Sequence, residues 1–213
     1  CCEQAARQNR AMPYRPALLS PLRALLILLA SATGPAAPAL AGDEPPKAAL
    51  EEARKASGEL VSSVRGELVK AIEASGPLRA IVVCKYTVPE IASSVSRKYG
   101  ARVTRVSLHT RNPSLGWGDA WEQKVMLDFE DRVAKGAVAE GLEHAEVVAE
   151  PSGKFVRYMR ALPMLPVCSA CHGPADQISE SIRNQLAHDY PHDRGTGTAV
   201  GKVRGAVSFK KPL

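Results

Sequence analysis

Residues 144–162 read HAEVVAEPSGKFVRYMRAL, and the fold class turns on them. Two strand-like runs, His144 to Glu150 and Lys154 to Leu162, flank Pro151-Ser152-Gly153. Proline pre-sets one turn dihedral and glycine admits a positive one, so the stretch is predicted as an antiparallel hairpin. Upstream, residues 102–109 alternate as a further strand, with Thr104, Val106 and Leu108 on one face and Arg105, Ser107 and His109 on the other. Downstream, Val203, Gly205, Val207 and Phe209 alternate as a last strand. Strands joined by hairpin, with helices kept separate along the chain, predict an antiparallel α+β domain.

The helices can be placed from period and punctuation. Pro45-Pro46 opens a long N-terminal amphipathic helix over 46–75, with Leu60, Val64, Leu68 and Ile72 at three-to-four spacing and Gly76-Pro77 as its stop. A second helix is expected from Thr87, with Pro89 and Glu90 in its first turn, to Gly100. Asp119 with Glu122 three residues on forms a capping box for a helix that carries Trp121, Val125, Phe129 and Val133 and ends at Gly136. Ile178, Ile182 and Leu186 mark one more. No internal repeat is present.

The first forty residues read as processing sequence. Arg15 and Arg23 precede an apolar stretch centred on Leu25 to Ala30, and the segment closes on Ala39-Leu40-Ala41. This is the pattern of a secretory signal peptide. Residues 1–41 are therefore expected to be removed, leaving 42–213 as a single exported, periplasmic domain without a stable membrane span; an uncleaved short anchor is the alternative. Cys1 and Cys2 lie ahead of Met12 and are attributed to an over-long start. Removal takes away Arg7, Arg10, Arg15, Arg23 and Glu3, so the net charge falls from +6 to +3. The remaining basic residues are interspersed with acidic ones, which predicts a solvated surface and no nucleic-acid partner.

Five cysteines become three: Cys84, Cys168 and Cys171. An odd number is awkward where thiols oxidise, unless some are otherwise engaged. VCSACHGP, residues 167–174, supplies the engagement. In Cys168-x-x-Cys171-His172 the two sulfurs are spaced to form thioethers with both vinyl groups of one porphyrin, and the adjacent histidine is delivered to the iron as an axial ligand. A thioredoxin-like pair would sit at a helix start after a strand, whereas Pro163, Pro166 and Pro174 surround this motif with loop. Structural zinc would need a second compact pair of ligands, and there is no second Cys-x-x-Cys. One covalent haem c is the expected cofactor.

The segments Ala80-Ile-Val-Val-Cys84, Arg105 to Pro113, Asp119-Ala-Trp121-Glu122, Cys168 to Gly173 and Gly201-Lys-Val-Arg204-Gly205-Ala206-Val207-Ser208 together resemble a family of exported single-haem proteins whose domain has no assigned function. The resemblance spans nearly the whole mature chain. It implies a PAS-like fold, an antiparallel sheet with flanking helices, holding one c-type haem and related to periplasmic haem sensor domains. It also implies that Cys84, similar in position to an upstream cysteine of the family, is the second axial ligand opposite His172. The loop matches at Arg111, Asn112 and Pro113, while Leu115-Gly116-Trp117-Gly118 departs from the family's pattern.

Read from the residues alone, Cys84 is equally a buried small hydrophobe after Ile81-Val82-Val83. Its rivals as sixth ligand are His109, His144, His188, His192, Met126 and Met159; Met164 is too close to the motif in sequence to reach the opposite face. Arg105 and Arg111 are candidates to pair with haem propionates, for which a planar guanidinium is suited, or are surface arginines. Trp117, Trp121 and Phe129 are expected to pack beside the haem or in the core.

A histidine and a thiolate on one iron favour the ferric state and a low reduction potential. The expected function is a redox or small-gas sensor in which Cys84 is released on reduction, opening a site for NO or CO; the alternative is a periplasmic low-potential electron carrier. Neither a kinase nor a chemotaxis module is present in these 213 residues, so a sensor of this kind is expected to signal through a redox or signalling partner. No enzyme activity is expected, since Cys84 would close the position a peroxidase keeps open.

Overall fold

The computed structural model describes residues 43–213. The expected signal peptide over 1–41, with Cys1 and Cys2, lies outside the described residues.

Four strands form one sheet: β1 (Arg102–Val106), β2 (Glu143–Glu150), β3 (Gly153–Pro163) and β4 (Val203–Pro212). Their order is β1-β4-β3-β2 and every pairing is antiparallel. The β2–β3 hairpin is the one expected: Glu150 pairs with Gly153 across Pro151-Ser152, and Gly153 takes φ 132°. β1 is shorter than 102–109. After Val106 the chain leaves the sheet, because the Ser107 amide donates to the Gly116 carbonyl at 3.0 Å and the Ser107 hydroxyl accepts from the His109 amide at 3.1 Å.

Both faces of the sheet are buried. On one, Ala53, Ala56 and Leu60 of α1 (Lys47–Val82) and Val95 and Tyr99 of α2 (Val88–Tyr99) meet Val103, Val156, Tyr158, Val207 and Phe209. A four-residue turn, α3 (Pro113–Gly116), follows β1. On the other face, Val125, Met126, Phe129 and Val133 of α4 (Ala120–Ala134) cover Val106, Met159, Ala161 and Ala206. The capping box that starts α4 is formed: the Glu122 amide donates to Asp119 Oδ1 at 2.9 Å and the Asp119 amide to Glu122 Oε2 at 2.7 Å. Glu122 is fully buried and also accepts from Ser208 Oγ at 2.6 Å and Arg102 at 2.7 Å, fixing α4 to the sheet by charge as well as packing.

The N-terminal helices correct the expected boundaries. Gly76 breaks α1 at φ 73°, ψ −179°, but Gly76-Pro77 is a corner and not a stop. Pro77 is a favourable first residue for a new helical arm, so the second helix begins there and not at Thr87, and the apolar run 80–83 lies inside it. This arm returns alongside the first: Lys98 Nζ and the Tyr99 hydroxyl both donate to Glu59 at 2.8 Å. It passes through one π-helical turn, Val83–Thr87, before continuing as α2 to the left-handed cap Gly100. The wider turn accommodates Pro89, whose ring would collide with the preceding turn of a regular helix. Cys84 sits within it.

Two short turns, Pro166–Cys168 and Ala175–Gln177, flank α5 (Ser169–His172), and α6 (Glu180–Asp189) follows. Ile178, Ile182, Leu186 and Tyr190 pack with Ile81 of the returning arm, and Cys171 joins that cluster. No helix among the described residues is long and apolar enough to cross a membrane.

Candidate cofactor site

The motif residues lie on α5 and the turn before it, and the chain around them is tightly specified. The Gly173 amide donates to the Ser169 carbonyl at 3.0 Å, and a Cβ at Gly173 would stand 2.7 Å from that oxygen, so only glycine ends the turn this way. The chain then passes through α6 and comes back: the Gly197 amide donates to the Gly173 carbonyl at 2.8 Å and the Thr198 amide to the His172 carbonyl at 3.0 Å. Residues 193–198 thus form a second wall beside the motif.

His172 is held by that wall. Its Nδ1 lies 2.7 Å from the Gly195 carbonyl and 3.0 Å from Arg204 Nη2. A carbonyl only accepts and a guanidinium only donates, so Nδ1 cannot satisfy both. The shorter contact assigns the proton to Nδ1, which donates to Gly195 and leaves Nε2 as the lone-pair nitrogen. Burial, then the charges of Arg204, Arg111 and Arg105, hold the His172 pKa well below the usual histidine value. The ring is therefore neutral at pH 7, the form that binds a metal.

Arg111 joins the motif to the returning wall. Its Nε donates to Asp193 Oδ2 at 3.0 Å and its Nη2 to the Cys171 carbonyl, and its guanidinium lies over the Tyr190 ring at 6.0 Å. Arg105, on the sheet face that carries Val103, donates to the Arg204 carbonyl at 3.4 Å. Cys84 reaches the same place from the returning arm: burial raises its thiol pKa, while the nearby charges of Arg105, Arg111 and Arg204 pull it down. Cys171 behaves alike, raised by burial and lowered first by Arg111. None of Cys84, Cys168 and Cys171 is in a disulfide.

All six residues singled out in the sequence, Cys84, Arg105, Arg111, Cys168, Cys171 and His172, therefore converge on one region. Met126, Met159 and His144 do not. Met126 and Met159 are buried under α4 on the far face of the sheet. His144 packs against Trp121 there, with 5.8 Å between ring centres and the ring planes tilted by 47°. His188 and His192 are exposed, and so is His109, although its carbonyl accepts from Arg204 at the site. Phe129 belongs to the α4 core, Trp121 is covered by the Arg157 guanidinium at 4.3 Å, and Trp117 is half exposed.

The residue missed in the sequence is Arg204. Strict alternation places it with Ala206 and Ser208, toward α4. The pairing of β3 with β4 shifts register at Leu162/Pro163, with Gly205 opposite Leu162 and Val203 opposite Pro163, so Arg204 is the extra residue of a bulge. Gly205 takes φ 150°, and a Cβ there would lie 2.4 Å from the Val106 carbonyl. The bulge turns Arg204 to the site. The glycine that follows an arginine in an otherwise alternating strand was the available signal.

The residues fit a dianionic, iron-bearing cofactor. Three guanidiniums gather with one carboxylate, Asp193, paired to one of them, and the buried Arg204 Nε has no acceptor. That surplus of buried positive charge suits carboxylates. Among the described residues no group of three His, Cys, Asp or Glu side chains is placed to hold a bare ion, whereas a porphyrin iron asks the protein for only two ligands.

A family model described as Tll0287-like matches residues 44–212. Among solved structures, that of the cyanobacterial heme-protein Tll0287 is similar, with a TM-score of 0.60 and 22% sequence identity, covering 79% of this chain and 98% of that one. No curated protein matches.

Proposed function

The chain belongs to the Tll0287-like family, and on that premise we propose that it carries one covalently attached haem c in the periplasm and works as a redox or small-gas sensor. Cys168 and Cys171 would hold the porphyrin as thioethers, His172 and Cys84 would hold its iron, and Arg105 and Arg111 would pair with its propionates. The observation that carries this reading is the convergence of Cys84, from a π-helical turn far upstream, on a neutral His172 whose Nδ1 is already committed to Gly195. The solved relative is a haem protein, which supports the cofactor.

Haem bound there supplies one-electron chemistry and, where a protein ligand is lost, a place for a diatomic gas. Cys84 decides between sensing and plain electron transfer. As a thiolate it holds the ferric state better than the ferrous one, so a chain that releases it on reduction senses, and one that retains it carries electrons. With His172 and Cys84 both holding the iron, no position would be left for a peroxidase-type reaction, and no enzymatic role is proposed. The redox or signalling partner is of unassigned identity.

The test is electron paramagnetic resonance and absorption spectroscopy on ferric wild type and Cys84→Ala, followed by NO and CO on the reduced proteins. Loss of the thiolate signature in Cys84→Ala is expected, and an identical spectrum in the two would remove Cys84 from the iron. Gas binding by the reduced wild type supports the sensor; a site closed to both gases makes the protein an electron carrier.

A further inference from the structure

Arg204 is 5% exposed, and its guanidinium is held through Nη1 by two acceptors and abuts His172 through Nη2. Nη1 donates to Ser107 Oγ and to the His109 carbonyl, each at 3.0 Å, and Nη2 stands 3.0 Å from His172 Nδ1. Its charged neighbours Arg105 and Arg111 repel it, and the carboxylate of Asp193 is engaged by Arg111. Burying a cation without a carboxylate of its own is costly. The fold nonetheless spends a strand bulge at Gly205 and a second glycine on the arrangement: a Cβ at Gly195 would lie 2.6 Å from Arg204 Nη2. A side chain at Gly195 would displace the guanidinium from its place beside the imidazole.

We propose that Arg204 is a positioning residue for His172 that also tunes it: the fixed positive charge beside Nδ1 opposes positive charge on a metal held through Nε2, and so favours the ferrous over the ferric state. This rests on the haem reading above. Groups around a ligating histidine fix its orientation and its basicity, and in a poorly solvated site a charge acts strongly across a few ångströms. A guanidinium keeps its proton throughout the physiological pH range, so the charge is present at pH 7. Arg204 thereby opposes the Cys84 thiolate, and the two together set the midpoint potential.

The experiment is a spectroelectrochemical titration of the haem-loaded full chain at pH 7, one electron per iron exchanged with the electrode. Wild type is compared with Arg204→Gln, Arg204→Lys and, as a control for overall charge, Arg97→Gln on the exposed face of α2. Arg204→Gln is expected to move the midpoint to more negative potential, Arg204→Lys to recover at least half of that shift, and Arg97→Gln to leave it in place. An unmoved midpoint in Arg204→Gln with the low-spin ferric spectrum retained overturns the proposal, and so do equal shifts in Gln and Lys, which would mark a loss of fit and not of charge. Should Arg204→Gln not fold, Arg204→Met, which removes the cation and keeps an unbranched side chain, takes its place: a shift to more negative potential supports the proposal and no shift overturns it. Wild type purified from a haem-attaching host without covalent haem overturns the haem reading itself, a result visible before any titration begins.

Discussion

Lys85 Nζ lies 2.6 Å from Asp189 Oδ1, so the residue next to Cys84 is tied to the last turn of the helix that follows the Cys168–His172 motif. The two halves of the proposed site, far apart in sequence, are joined by this contact as well as by the packing of Ile81 on Ile182 and Leu186. The bond to Lys85, then that to Gln185, holds the Asp189 carboxyl down to about 2 from its ordinary 3.8. A carboxylate with a depressed folded value stabilises the native state above its unfolded pKa and loses that contribution as pH falls through the folded one. Asp189→Asn should therefore be less stable than wild type at pH 5, and the gap should close between about pH 4 and pH 2; urea midpoints at pH 5 and pH 2.5 check it.

Gly205→Ala should be among the most damaging small changes. The residue would have to adopt φ 150° and place its Cβ 2.4 Å from the Val106 carbonyl. Strain of this kind costs on the order of 1–3 kcal/mol per residue, and relief by straightening the bulge would turn Arg204 away from His172. The expected outcome is a lowered thermal midpoint together with an altered ferric spectrum. Gly66→Ala, in α1 where nothing lies within 4 Å, should leave both near wild type or raise stability slightly.

These two sites show where the sequence was legible and where it was not. The hairpin over 144–162 and the capping box Asp119/Glu122 are local patterns, and local chemistry decided both of them. The path of the chain between 76 and 88 was not local: Gly76-Pro77 reads as a helix stop whether the chain leaves or folds back, and only the contacts of Lys98 and Tyr99 with Glu59 distinguish a helical hairpin from a loop. The π turn that carries Cys84 has no periodic signature at all. Arg204 was hidden for a similar reason, since one bulge inverts which face a strand residue serves.

Glu122 offers a test on the face away from the site. It is fully buried, caps α4, and accepts from Arg102 and Ser208, with Arg157 3.5 Å away. Removing one partner from such a network strands the remaining charges, which costs about 3–5 kcal/mol. Glu122→Ala should lower stability by that amount, and Ser208→Ala by about 1 kcal/mol. The double variant should cost less than the two single changes together, because Ser208 has lost its acceptor already in the first. Haem content per folded chain should stay unchanged throughout, since the network lies on the α4 face of the sheet.

Arg111 should behave in the opposite way, with stability and cofactor retention falling together. Its Nε holds Asp193 and its Nη2 holds the Cys171 carbonyl, so one side chain clamps the motif turn to the 193–198 wall. Asp193 also accepts from the Gly195 amide at 2.6 Å, and Gly195 in turn receives His172. Arg111→Ala leaves a largely buried carboxylate unpaired, at a cost of about 3 kcal/mol, and frees the wall that orients the imidazole. Arg111→Lys keeps the charge but cannot make two directed bonds from one planar group. The expected order of thermal midpoint is wild type, then Lys, then Ala, and the fraction of purified chain carrying covalent haem should follow the same order. Equal haem loading in all three, with only the midpoints moved, would separate Arg111 from the cofactor and leave it as a clamp on the fold alone.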